Sequence, residues 1–239
     1  MIDFDVVALS RLQFALTASS APGESVRTVT TALAALALSL LGAAGGFARA
    51  QGIQMITAEG QHVILTDPGT DREGAADADV HIVEYFDYNC PYCKKEAPVL
   101  QALLAADSHL ALINKEWPIL SDTSVYAAQS ALAARWQGKY LLAHHALMQA
   151  ERLKSNAEVD AALAHAGLNM KTLAQDRERH AQEIQALLDR SDTEAHALHL
   201  RGTPGLVIER MLLPGIVELP GMQQLVAEAR QQAHGAQPH

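Results

Sequence analysis

Two cysteines are all that this chain of 239 residues contains, and that scarcity excludes two classes at once. A small exported scaffold stapled by disulfides needs several spaced cysteines. A cysteine-based zinc site needs further ligands, and there is no third cysteine and no histidine pair at zinc-finger spacing near the two. Bridging Cys90 to Cys93 closes almost no loop, so it constrains the unfolded chain little. Positive charge is short as well: 18 Lys and Arg against 27 Asp and Glu leave a net charge of −9. With no long basic run, this argues against nucleic acid as a partner. Internal repeats and low-complexity segments are missing after residue 50. A chain of this length then builds one sizeable core, or one domain carrying an insertion, and the order of elements below fits the insertion.

What the sequence does have is concentrated between Val80 and Cys93. Val80-His81-Ile82-Val83-Glu84-Tyr85-Phe86 is a β-branched and aromatic run that predicts a central strand. Pro91 suits the first turn of a helix, where its missing N–H costs nothing, and that helix is expected to run to about Ala106 with Leu100, Leu103 and Leu104 on one face. Cys90 then sits at a helix N-terminus, where orphan N–H groups and the helix dipole lower a thiol pKa. Cys93, one turn in, is placed to attack a mixed disulfide formed at Cys90. The pair reads as a redox site. Under period-two alternation Glu84 shares a strand face with Ile82 and Phe86, where a carboxylate is costly unless neutral or partnered.

Residues 1–50 read as an N-terminal extension and a signal peptide. Arg27 precedes an apolar stretch that ends in Ala48-Arg49-Ala50, a small-residue pattern for cleavage after Ala50. The uncharged stretch 28–47 is also long enough for a retained membrane anchor, with Gly42, Gly45 and Gly46 favouring cleavage. Asp3, Asp5 and Glu24 are unusual for a signal, and a start at Val26 would give a normal one.

Residues 51–79 are expected to hold one strand, His62 to Thr66, and a polar turn-rich connection from Asp67 to Ala78. Residues 80–118 supply the strand, the cysteine helix and a second strand, Leu110 to Asn114. Residues 119–200 read as consecutive helices: one capped by Ser121 or Asp122, one from Lys139 to Arg152, one following the cap Asn156, and then Asn169 to Arg179 and Glu183 to Leu198. Residues 201–234 return to strands, Leu206 to Glu209 and Met211 to Leu213, and a final helix. Glu209-Arg210 is a poor two-residue turn, since neither readily takes positive φ, so a longer turn is expected. Lys115 and Glu116 read as surface charges, His144 as a core histidine, and His196 and His199 as helix surface.

Phe86 through Cys93, with Gly202-Thr203-Pro204 beyond a helical block, resembles the DsbA family of thiol:disulfide oxidoreductases, in the branch of the copper-sensitivity-suppressor proteins. Lys94, Ala97 and Pro98 are similar to the matching helix of thioredoxin. The resemblance covers about Val80 to Arg230. It implies an α/β, thioredoxin-like fold with an inserted all-helical domain. Cys90 would be the nucleophile, Cys93 the resolving thiol and Glu84 a buried acid that handles protons for Cys93. Pro204 would be a cis-proline facing the sulfurs. Thr203 and Gly202 would bind substrate as an added strand, and Pro91 and Tyr92 would tune the potential. No cofactor is implied beyond the Cys90–Cys93 disulfide. The implied partners are exported proteins with cysteines and a membrane redox protein that resets the pair, in the periplasm. Direction stays open. Tyr92 and Thr203 resemble the DsbG type of isomerase, yet residues 51–79 are too short for the dimerisation domain of those isomerases, which leaves a DsbA-like oxidase ahead. A protein binding Cu(I) through two thiolates is the reading from another class.

Overall fold

A computed structural model describes residues 52–213 and 215–235; the signal-peptide and start-site readings lie outside them. In chain order the elements are β1 (Gln54–Met55), α1 (Ala58–Thr66), β2 (Asp71–Gly74), β3 (Val80–Phe86), α2 (Pro91–Ala106) and β4 (Leu110–Glu116). Then come α3 (Asp122–Ala133), a 3₁₀ turn (Ala134–Gln137), α4 (Tyr140–Gln149), α5 (Asn156–His165), α6 (Met170–Arg179) and α7 (Ala181–Ala197). The chain returns through β5 (Gly205–Ile208), β6 (Met211–Leu213) and α8 (Leu219–Gly235). The strands form a six-stranded sheet in the order β1-β6-β5-β3-β4-β2. β3 and β4 are parallel and joined through α2, while β5 lies antiparallel on the other side of β3. The five helices α3 to α7 are therefore an excursion between two strands that both flank β3.

Alternation along β3 sends its side chains into different cores. Ile82 packs with Leu100 and Leu103 of α2 and Met222 and Val226 of α8. Val83 and Tyr85 pack on the opposite face with Ile64 of α1 and Ala195 of α7. Phe86, at the strand end, joins Cys90 and Cys93 to the apolar centre of the helical block, including Ala131, Leu147 and Leu163. The cysteines thus sit where the sheet meets the insertion.

Five expectations change. His62 to Thr66 is helix, not strand: Thr57 caps α1 by accepting the Gly60 N–H at 3.0 Å, and only Ile64 of that helix is buried. Its β-branched residues lose to the cap and to a sheet whose β6 edge is already taken by β1. The stretch after Asp67 contains β2, which pairs antiparallel with β4. Its polar sequence fits an edge strand whose charges find partners outside the sheet, Asp71 with Arg135 at 3.0 Å and Glu73 with His145 at 3.1 Å. Gly74, at φ +95°, leaves room that a side chain would fill: a Cβ there would lie 2.4 Å from the Leu110 carbonyl oxygen. The α5 cap is Ser155, not Asn156, its hydroxyl accepting the Glu158 N–H at 3.3 Å. The β5–β6 turn has only two residues, because Ile208 pairs with Met211. Glu209 takes φ 52° there, and its carboxylate accepts from the His81 N–H at 2.6 Å and from Gln61. Finally, Lys115 and Glu116 are buried on opposite faces: the Lys115 ammonium lies 2.7 Å from Asp67 and 2.8 Å from Glu194, and Glu116 accepts from the Tyr140 hydroxyl at 2.5 Å.

Candidate active site

The loop from β3 to α2 is held at each residue. Asp87 accepts the Asn89 N–H at 2.7 Å through one carboxylate oxygen and the Leu120 N–H at 2.9 Å through the other. The Asn89 amide clasps Leu153 of the insertion, donating to its carbonyl at 3.0 Å and accepting its N–H at 2.9 Å. Cys90 is the N-cap of α2, with Pro91 at the first turn and Pro98 inside the helix. The Cys93 N–H donates to the Cys90 Sγ at 3.4 Å. The Cys90 Sγ in turn lies 3.1 Å from the Thr203 carbonyl oxygen, to which it donates only while protonated. The Thr203–Pro204 peptide is cis. Residues 113 apart in sequence thus meet at one sulfur.

Both cysteines are free thiols, and their environments differ. Hydrogen bonding by Cys93 is the largest influence on Cys90; burial opposes it, Thr203 and the N–H groups of Cys93 and Tyr92 add to it, and the thiol is lowered to about 6. Cys93 is fully buried. Burial first, then its hydrogen bond to Cys90 and the nearby Glu84 charge, push its thiol far above the ordinary range. At neutral pH the outer sulfur is a thiolate and the inner one a thiol.

Glu84 is 1 % exposed, so it is not an acid reaching solvent from a strand end. Burial, then the charges of Glu96 and Cys90, raise it to about 8. The sequence reading missed two neighbours. Glu96 lies on α2 three residues after Cys93 and four before Leu100, hence on the same inward face. It is 1 % exposed, and burial raises it to about 7 against the opposing backbone contact of Val217. Asn114 is the register partner of Glu84 on β4, and its buried amide has no hydrogen-bond partner among the described residues. The helical spacing of Glu96 was the available signal. For Asn114 only the strand register places it.

A groove of about 470 Å³ opens beside Cys90, lined by Tyr92, Gly202, Thr203 and Pro204 among others. Tyr92 is 60 % exposed on its rim. Lys94 turns the other way, donating to the carbonyls of Leu147 at 2.6 Å and Met148 at 3.4 Å. His144 is a core residue beside Phe86, Tyr88 and Tyr140, where burial lowers it to about 3 and keeps it neutral. His196 lies 3.4 Å from Asp192 on α7, and His199 follows that helix at φ 56°. A larger hollow of about 970 Å³, near Arg135, Trp136 and Arg190, shares no lining residue with the cysteine groove.

A depressed Cys90 has a measurable signature. Thiolate absorbance of the reduced protein is expected to rise with a midpoint near 6, and this transition should vanish in Cys90→Ser. A midpoint at or above about 8.5 would contradict the geometry. The sign of the linkage follows. Because the folded pKa lies below the unfolded one, Cys90 stabilises the reduced fold fully above about 9, and that contribution fades as pH falls through about 6.

The thioredoxin family model matches residues 66–226. A thioredoxin-like oxidoreductase from Silicibacter pomeroyi DSS-3 is 38% identical, with 74% of this chain and 99% of that chain covered and a TM-score of 0.68. The catalytic domain of Proteus mirabilis ScsC is 28% identical, covering 72% and 96%, with a TM-score of 0.64. A periplasmic thioredoxin-like protein from Salmonella enterica serovar Typhimurium is 26% identical, covering 74% and 99%, with a TM-score of 0.63. Among curated proteins, Na(+)/H(+) antiporter NhaA 1 of Salinispora arenicola (strain CNS-205) is 33% identical over 106 residues, 40% of this chain. The match spans only 16% of the antiporter. No helix among the described residues is long and apolar enough to cross a membrane.

Proposed function

Because this chain belongs to the thioredoxin family and is a thiol:disulfide oxidoreductase, we propose that it oxidises dithiols of exported proteins through Cys90 and Cys93. The difference between the two sulfurs carries the reading. A substrate thiolate attacks the Cys90 sulfur of the Cys90–Cys93 disulfide, forming a mixed disulfide and expelling Cys93. Cys93 leaves into a site that disfavours its charge. Glu84, protonated at neutral pH because burial raises it to about 8, gives it a proton. The second substrate thiolate then attacks the substrate sulfur and releases Cys90, a good leaving group because its thiolate is stabilised. Two electrons and the disulfide have changed places, and no other cofactor is required. A membrane redox partner reoxidises the pair, and the periplasm is the compartment this chemistry suits. Thr203, Gly202, Pro91 and Tyr92 shape the substrate groove.

A thiolate stabilised only in the reduced form makes the disulfide a stronger oxidant. Equilibrated with glutathione, the pair is expected to lie above about −230 mV, toward the about −120 mV of DsbA. A value near the about −270 mV of thioredoxin would make the protein a reductase. The DsbG-like motif of Tyr92 and Thr203 supports isomerisation as the second reading. It would show as faster repair of scrambled disulfides than oxidation of reduced substrate.

A further inference from the structure

Two hollows flank Cys90, and the ionic groups lining both have one sign. On the Thr203 side the groove of about 470 Å³ includes His199 and Arg201. On the Asn89 side a hollow of about 360 Å³ includes Arg152 and Lys154, tied to the nucleophile's loop by the two hydrogen bonds between Asn89 and Leu153. Among the described residues, no Asp or Glu lines either hollow. The four basic side chains are exposed. None has a hydrogen-bond or ion-pair partner among the described residues. Other described arginines are engaged: Arg135 with Asp71, Arg190 with Asp67, Arg230 with Asp79. The nearby acids lie outside both linings: Glu158 accepts the backbone N–H of Lys154, Glu218 pairs with Lys95, and Asp122 and Glu151 are exposed.

A chain of net charge −9, histidines counted neutral, thus sets Arg152, Lys154 and Arg201 around Cys90. We propose that this rim selects substrates in which acidic residues flank the reacting cysteines. The proposal rests on the disulfide-exchange reading. A bound segment runs past Cys90 into both hollows, and Asp or Glu on either side meets Arg201 or Arg152, whose guanidinium forks suit carboxylates. The cations are exposed, so the gain is chiefly in encounter rate and is screened by salt.

The test uses the oxidised protein and three peptides of one length, each with two cysteines flanked by Asp, Ser or Lys. Each peptide is oxidised to its internal disulfide as the Cys90–Cys93 disulfide is reduced, and acid-quenched samples are read by mass. At low ionic strength the second-order rate constants are expected to fall in the order Asp, Ser, Lys, spanning about tenfold. In about 0.5 M salt the spread should shrink to about twofold. In Arg152→Glu/Arg201→Glu the order should reverse, which separates selection by the protein from the effect of flanking charge on the peptide thiols. Equal rates, or an order the double variant leaves unchanged, would overturn the proposal. Exchange with none of the peptides would instead overturn the exchange reading, and this proposal with it.

Discussion

Cys93→Ser is expected to hold its substrates covalently, whereas Cys90→Ser should hold almost none. Cys90, 3 % exposed, is the N-cap sulfur in contact with Thr203 of the groove, whereas Cys93 is 0 % exposed, so an incoming thiol is expected to meet Cys90 first. Without Cys93, a mixed disulfide at Cys90 loses its internal escape. Intramolecular attack by a well-placed group has a very large effective concentration, so release of a trapped partner should slow by on the order of 10²-fold or more. Non-reducing gels of the protein expressed for export should show adducts that a reductant dissolves. Glu84→Gln adds a finer division: attack by reduced Cys90 on a disulfide should stay close to normal. Steps in which Cys93 gains or loses a proton should slow by roughly 10²-fold with an altered pH profile. If both cysteine variants trap alike, or neither does while folded, ordered exchange is wrong and the Cu(I)-thiolate reading gains ground. Equal slowing of all steps in Glu84→Gln would mark that residue as structural.

Lys115→Ala should be the most damaging substitution outside the site. Lys115 is 0 % exposed and holds Asp67 and Glu194 at 2.7 Å and 2.8 Å. Around them Tyr85 donates to Glu194 at 2.8 Å and Arg190 to Asp67 at 2.6 Å. The cluster joins the segment before β2, the central strands and the last helix of the insertion. Removing the lysine leaves the Glu194 carboxylate without its cation and Asp67 with Arg190 alone, a loss of about 3–5 kcal/mol from a total stability of about 5–15 kcal/mol. Adding Asp67→Asn and Glu194→Gln should restore much of it, because the penalty lies in the stranded charges. Urea unfolding checks both expectations. A loss below about 1 kcal/mol for Lys115→Ala would mean that water reaches the cluster.

Local chemistry was enough to place the central strand, the cysteine helix and its cap. Val80–Phe86 and Pro91–Ala106 were read from β-branched residues, Pro91 and the spacing of Leu100 and Leu103, all interactions between near neighbours. The helices after residue 121 were legible for the same reason, through a cap at Ser121 or Asp122 and apolar residues at helical spacing. What failed depended on distant partners. His62 to Thr66 has strand-like residues but no free edge to join, while Asp71–Gly74 has polar residues and an edge that accepts it. Glu209 takes a left-handed turn because His81 and Gln61 hold its carboxylate. Strand alternation alone could send Lys115 and Glu116 to opposite faces, but only the packed chain sets Asp67 and Glu194 around one and Tyr140 against the other. In the site, sequence alone singled out Cys90, Cys93 and the strand acid Glu84 as candidates. The tertiary structure decided how far their proton affinities part, because burial, the approach of Thr203 to Cys90 and that of Glu96 to Glu84 arise only on folding.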